Sequence, residues 1–333
     1  MTPSRSAFLA GTAGAAAAAY AMPTLIAAAS PADVAAATRG MTFTTLRDNG
    51  VDHVGVRTAR GIVDISRAAK ALNVEHPPLT VDDVVAGRGN IAALPNLVKN
   101  APASAIRAEN AVQYGPVVTA PPKIICVGLN YRAHIEETGE KAPPFPDLFN
   151  KYNTTLNRHN GTVAVSKIPA QKFDYESELV IVIGKTARNV AESDALSHVF
   201  GYACGNDFTA RDPQQRVSQW MTGKTPDEFA PIGPWLVTAD QIPDPQTLQV
   251  QTFVNDETTP RQDMNTKQMI FNCAHIIAYT STFITLSPGD VIFTGTPSGV
   301  ITGYPKDKQV WLKPGDRVRT VISKLGELHF TLS

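Results

Sequence analysis

The chain has 333 residues, with 30 Lys+Arg against 30 Asp+Glu and 43% hydrophobic residues. That length suits about two domains and that composition a sizeable core, which excludes global disorder. Zero formal net charge offers no basic footprint for nucleic acid and no field for an anionic membrane surface, so small-molecule chemistry is the default class.

Residues 1–40 stand apart. A single early positive charge, Arg5, precedes the Ala- and Gly-rich apolar run 8–30, and Ala27 and Ala29 have the spacing that a signal peptidase reads. This plan predicts an export signal and a periplasmic protein. The opening SRSAFL is twin-arginine-like but has Ser6 at the second Arg position, so a Tat-like and a Sec route both stay open. If Met41 is the start, the chain is cytoplasmic. Beyond residue 40 no apolar run nears the roughly 18 residues of a membrane span. The mature chain is therefore expected to have none.

From 41 to 117 the pattern predicts a small α+β domain, with strands at 42–46, 53–58 and 61–65 and helices at 66–72 and 81–85, the last capped by Thr80. A Pro- and Ala-containing stretch, 101–122, reads as the linker. From 118 to 333 the texture becomes β-rich, with strands expected at 123–129, 178–184, 198–206, 233–238, 248–255, 290–296, 317–323 and 327–332 and one long helix at 266–281. The fold class is α+β, β-rich. Cys126, Cys204 and Cys273 sit among apolar neighbours with no C-x-x-C spacing and read as buried hydrophobes.

Two Gly-Lys-Thr triplets, at 184–186 and 223–225, fail as phosphate loops because Leu179 and Ser218 stand where the first Gly is needed. Carboxylates carry more. Glu176 and Glu178 start an apolar strand and project from one face. Alone, such a pair is more often a polar strand edge in water, since charged residues are usually exposed. Asp207 ends a second strand, and three carboxylates without His or Cys donors suit a hard ion, Mg2+ or Mn2+, rather than zinc. His134 and Glu137 have the i, i+3 spacing with which a carboxylate orients an imidazole as general base. An ordinary helical surface pair has that spacing too.

Five segments in order, GLNYRAHIEE (128–137), DYESELVIVIG (174–184), NDFTARDPQ (206–214), KTPDEFAPIGPW (224–235) and LSPGDVIFTGTPSGV (286–300), resemble the fumarylacetoacetate hydrolase family over about residues 118–332. The resemblance implies a mixed β-sandwich roll and a homodimer that carries Mg2+ or Mn2+ and acts on 2-oxo or 2,4-dioxo acids. Carried over by position, it implies Glu176, Glu178 and Asp207 as metal ligands and His134, Glu137 and Lys224 as catalytic residues. It further implies Tyr131, Arg211, Gln214 and Thr296 as substrate contacts. Pro213 and Pro226 depart from the family pattern beside Arg211 and Lys224. The expected activity is metal-dependent hydrolysis of a C–C bond in acylpyruvate-like acids, by water activated at the His–Glu pair and through an enolate. A lyase, decarboxylase or isomerase on a related 2-oxo acid is the alternative. A non-catalytic exported binder would not need both His134 and Glu137. The Pro-containing segment 138–151 is expected to form a specificity loop that closes over the site.

Overall fold

The computed structural model describes residues 27–333. Most of the expected export signal, residues 1–26, lies outside the described residues. Among the described residues, the larger sheet has ten strands in the order β4 (Ile106–Arg107), β3 (Gly61–Asp64), β2 (Val51–Thr58), β1 (Thr42–Asp48), β14 (Leu236–Thr238), β11 (Val199–Asn206), β10 (Ser177–Ile183), β17 (Val291–Phe293), β5 (Ile124–Gly128) and β6 (Asp147–Lys151). A second sheet has five: β16 (Gln262–Asn265), β15 (Gln249–Val254), β18 (Arg317–Ile322), β19 (Gly326–Leu332) and β8 (Gly161–Val163). Two short pairs, β9 (Phe173–Asp174) with β12 (Thr209–Ala210) and β7 (Leu156–Asn157) with β13 (Ala230–Pro231), stitch the loops between them. This is the β-rich α+β architecture expected from the sequence.

β10 shows why the central strands lack alternation. All seven of its residues are buried, because both faces are covered. Leu179, Ile181 and Ile183 join Val250, Ile322 and Leu328 of the second sheet in one core. Val180 and Val182 join a different core with Val63, Ile65 and Leu94 of the N-terminal unit.

The sheet runs unbroken across the division expected at 117/118, since β1 pairs with β14 through Thr42–Val237 and Phe43–Leu236. Helices α1 (Pro31–Thr38), α2 (Ile65–Leu72), α3 (Val81–Val85) and α4 (Leu94–Asn100) belong to this N-terminal part. A capping box between Thr80 and Asp83 starts α3 at the expected residue. Ser30 caps α1, which buries Val34 and Thr38, and the Ala29 N–H donates to Gly87 O at 2.7 Å. The folded unit thus begins ahead of Met41, and the boundary expected at residue 40 follows an integrated helix.

Two further expectations change. The long helix expected at 266–281 starts only at α9 (Cys273–Phe283), because the Asn272 side chain caps it there by accepting from the His275 N–H. Ahead of it α6 (Glu192–Ala195) contacts α9, and Glu192 pairs with His275. The segment 138–151 is not all loop, since its last five residues form edge strand β6. No described helix is long and apolar enough to cross a membrane. All three cysteines are free and buried.

Candidate active site

Strand direction assembles the site. β5 runs parallel to β17, and β10 antiparallel to it, so the chain leaving β5 and β17 emerges beside the start of β10. β11 is antiparallel to β10 with Ser177 opposite Asn206, and the Asp207 N–H donates to Glu176 O at 2.8 Å. Glu176, Glu178 and Asp207 therefore meet: one carboxylate oxygen from each lies within 4.8 Å of the others, and all three side chains are buried.

Three buried cations answer them. Lys224 Nζ lies 2.6 Å from Glu176 Oε2 and 2.8 Å from Asp207 Oδ2, Lys151 Nζ lies 2.5 Å from Asp207 Oδ1, and Arg211 Nη1 lies 2.7 Å from Glu176 Oε1. Arg211 Nε also donates to Asp174 Oδ2 at 2.9 Å. Asp174, wholly buried, accepts the Ile301 and Thr302 N–H groups as well. Four carboxylates thus face three cations, and the one left over is Glu178. The hydrogen bond it receives comes from the Gly295 N–H at 2.7 Å. Burial and the Asp207 and Glu176 charges push its carboxyl well above the usual range. At Glu176 burial pushes the same way, but Lys224 and Arg211 outweigh it and hold the carboxyl below the usual range. An oxygen-only set with one uncompensated member fits a hard divalent ion.

β5 ends in Gly128, and Leu129 follows at φ 53°, a strained conformation for a residue with a β-carbon. That turn lets α5 (Arg132–Thr138) start over the carboxylates. His134 Nδ1 lies 2.8 Å from Glu137 Oε1, and Glu137 Oε2 accepts the Gly299 N–H at 2.8 Å. A β-carbon at Gly303 would sit 2.5 Å from Glu137 Cδ. The loop after β17 thus grips both acid systems, Gly295 on Glu178 and Gly299 on Glu137.

One cavity of about 130 Å³ is lined by the three carboxylates, His134, Arg211, Gln214, Lys224 and Thr296. Arg211 Nη2 is buried without a partner. Gln214 spends its carbonyl oxygen on Arg211 Nη1 at 3.2 Å and keeps its amide N–H groups free of that contact. The Thr296 hydroxyl donates to Ser177 O and accepts from Gln262, so it meets the cavity already engaged. Pro226 stands just past α8 (Met221–Lys224) and leaves Lys224 in reach of the acids. Glu137 stands behind His134, outside the lining. Tyr131 does not line the cavity. Its side chain is fully buried in the inter-sheet core, with a hydroxyl that has no partner. Lys151 and Asp174 went unnoticed in the sequence. Through the paired positions Phe149–Cys126, Cys126–Phe293 and Phe293–Val180, Lys151 shares its sheet face with Glu178.

The family model described as "Fumarylacetoacetate (FAA) hydrolase C-terminal" matches residues 123–333. The chain is 42% identical to a 2,4-didehydro-3-deoxy-L-rhamnonate hydrolase of Sphingomonas sp. (strain SKA58) over 268 residues, which is 80% of this chain and 89% of the relative. It is also 42% identical to the mitochondrial oxaloacetate tautomerase FAHD2A of Homo sapiens over 211 residues, 63% of this chain and 66% of the relative. Among solved structures, a fumarylacetoacetate hydrolase from psychrophilic Exiguobacterium antarcticum superposes with a TM-score of 0.72 at 31% identity, covering 88% of this chain and 99% of that one. Motif order, mixed-sheet fold and sequence likeness agree, and the chain belongs to the fumarylacetoacetate hydrolase family.

Proposed function

We propose that the chain hydrolyses a C–C bond in acylpyruvate-like 2,4-dioxo acids with Mg2+ or Mn2+ held by Glu176, Glu178 and Asp207. The observation that carries this reading is that His134, braced by Glu137, opens on the same cavity as the carboxylates. When bound, the ion supplies Lewis-acid polarisation of the oxo acid. The side chains do the rest. Arg211 Nη2 and the Gln214 amide donate to the substrate carboxylate. His134 Nε2 takes a proton from water as the water oxygen bonds to carbon 4. The adduct collapses by breaking the bond between carbons 3 and 4, whose electron pair becomes the enolate of pyruvate. Protonation at carbon 3 completes pyruvate, and the acyl part leaves as a carboxylate. An ammonium has three N–H donors, and Lys224 spends two of them on Glu176 and Asp207. The third serves the charge that grows in the transition state.

Turnover of acetylpyruvate to acetate and pyruvate, lost on chelation, is the expected outcome. Glu178→Gln should lose ion uptake and activity together. His134→Ala should keep the ion and lose roughly 100-fold or more in rate. Full hydrolysis by His134→Ala would contradict the base assignment.

A second reading has its own support. The likeness to an oxaloacetate tautomerase favours enolisation without bond cleavage, for which the same base suffices. An oxaloacetate keto–enol assay separates the two. The family resemblance also supports a homodimer, and the Ala-rich start supports export; light scattering and cell fractionation test them.

A further inference from the structure

Lys224 stands at the end of the one-turn helix α8, and residues 215–219 just ahead of that helix are all exposed. Two backbone contacts fix the turn. The Lys224 and Gly223 N–H groups both donate to Trp220 O, at 3.1 and 3.0 Å. A β-carbon at Gly223 would stand 2.5 Å from Ala210 O, so the missing side chain lets α8 lie against the end of β12.

The Trp220 ring carries the hold across the cavity wall. A β-carbon at Gly128, the last residue of β5, would stand 2.5 Å from Trp220 Cζ3 and 2.7 Å from Cη2, so the indole lies flush on bare backbone there. The ring also meets Phe149 of β6 at 75°, with 5.3 Å between centroids. Phe149 in turn faces Lys224, whose Nζ lies 5.3 Å from the ring centroid, within cation–π range. Gly128, Phe149, Trp220 and Lys224 all line the one cavity. The ammonium spends two N–H donors on Glu176 and Asp207. A hydrocarbon ring steadies a cation without offering it a lone pair, so the third N–H stays free for substrate.

We propose that Trp220 is a positioning residue for Lys224, acting through the Phe149 ring and through its own backbone carbonyl. The inference deepens the proposed reaction and rests on the reading of Lys224 as donor to the charge that grows in the transition state. Without the indole, Phe149 loses its support on the Gly128 side and the ammonium loses the face that steadies it. The cost falls on kcat, because an interaction made only in the transition state does not contribute to substrate binding.

The test measures kcat and KM for acetylpyruvate with the full chain and Mg2+. Trp220→Ala should lower kcat about 10- to 100-fold, the scale on which small misplacements act, with KM and calorimetric Mg2+ uptake retained. Trp220→Phe, which keeps a ring beside Phe149, should recover most of that loss. Gly128→Ala adds volume against the indole instead of removing it, so it should lower kcat in the same way and serves if Trp220→Ala does not fold. In a Lys224→Met background both substitutions should cost nothing further, because residues that act as one unit are not additive. An unchanged kcat in Trp220→Ala and Gly128→Ala, or the same loss with and without Lys224, overturns the inference alone. Full kcat in Lys224→Met, or no turnover of acetylpyruvate by the parent, overturns the reading of the site and this inference with it.

Discussion

Lys151 compensates a buried charge that no other lysine can fully serve. Asp207 shares Lys224 with Glu176, whereas Lys151 is its own partner at 2.5 Å, and both side chains are buried. Breaking such a pair from one side leaves a buried charge and costs about 3–5 kcal/mol. Lys151→Met is therefore expected to lower the urea stability of ion-free protein by that order, and added Mg2+ should narrow the deficit by taking over the compensation. Equal stability of variant and parent would contradict the role. Strand and helix spacing made the three acids and the His134–Glu137 pair legible, whereas Arg211, Gln214 and Lys224 were legible only through the family resemblance. Lys151 and Asp174 were not legible: their partners lie 56 and 37 residues away, and only the sheet register brings them together. Tyr131 failed for the converse reason. It stands next to α5 in sequence, yet its extended backbone turns the ring into the core between the sheets.

At the scale of elements, α5 and the loop after β17 hold one another. Glu137 is pinned between His134 and the Gly299 N–H, with Gly303 packed against its carboxylate. Gly303→Ala should displace that carboxylate and lower kcat by about 10- to 100-fold, the scale on which small misplacements act, while calorimetry finds ion uptake retained. Unchanged kcat would show that the dyad tolerates the shift. Strands such as β10 and β11 were readable from unbroken apolar runs, since burial on both faces leaves no alternation to disguise. β6 was not readable. It is a short, half-exposed edge strand preceded by Pro143, Pro144 and Pro146, a composition that looks like loop until β5 offers it a partner. The start of α9 was misread because apolar spacing extended past the Asn272 cap that ends it.

For the whole molecule, the N-terminal part and the rest form one continuous sheet, and α1 closes the core beneath it. Burying a Val side chain contributes about 1.5–3 kcal/mol, and Val34 is 4% exposed. A chain starting at Met41 should thus unfold at lower urea than one starting at Ser30, by about 2 kcal/mol. Identical midpoints would mean that α1 adds nothing. Composition made the change of texture near residue 118 visible, but it could not show that β1 and β14 pair across it, because that contact joins residues almost 200 apart. The central claim is that water at His134 cleaves a dioxo acid held over the carboxylates. A single turnover of acetylpyruvate with Mg2+ in 18O-labelled water tests it most directly: the account expects one labelled oxygen in the acetate formed, and unlabelled acetate, or a dioxo acid recovered with its formula unchanged, would contradict it.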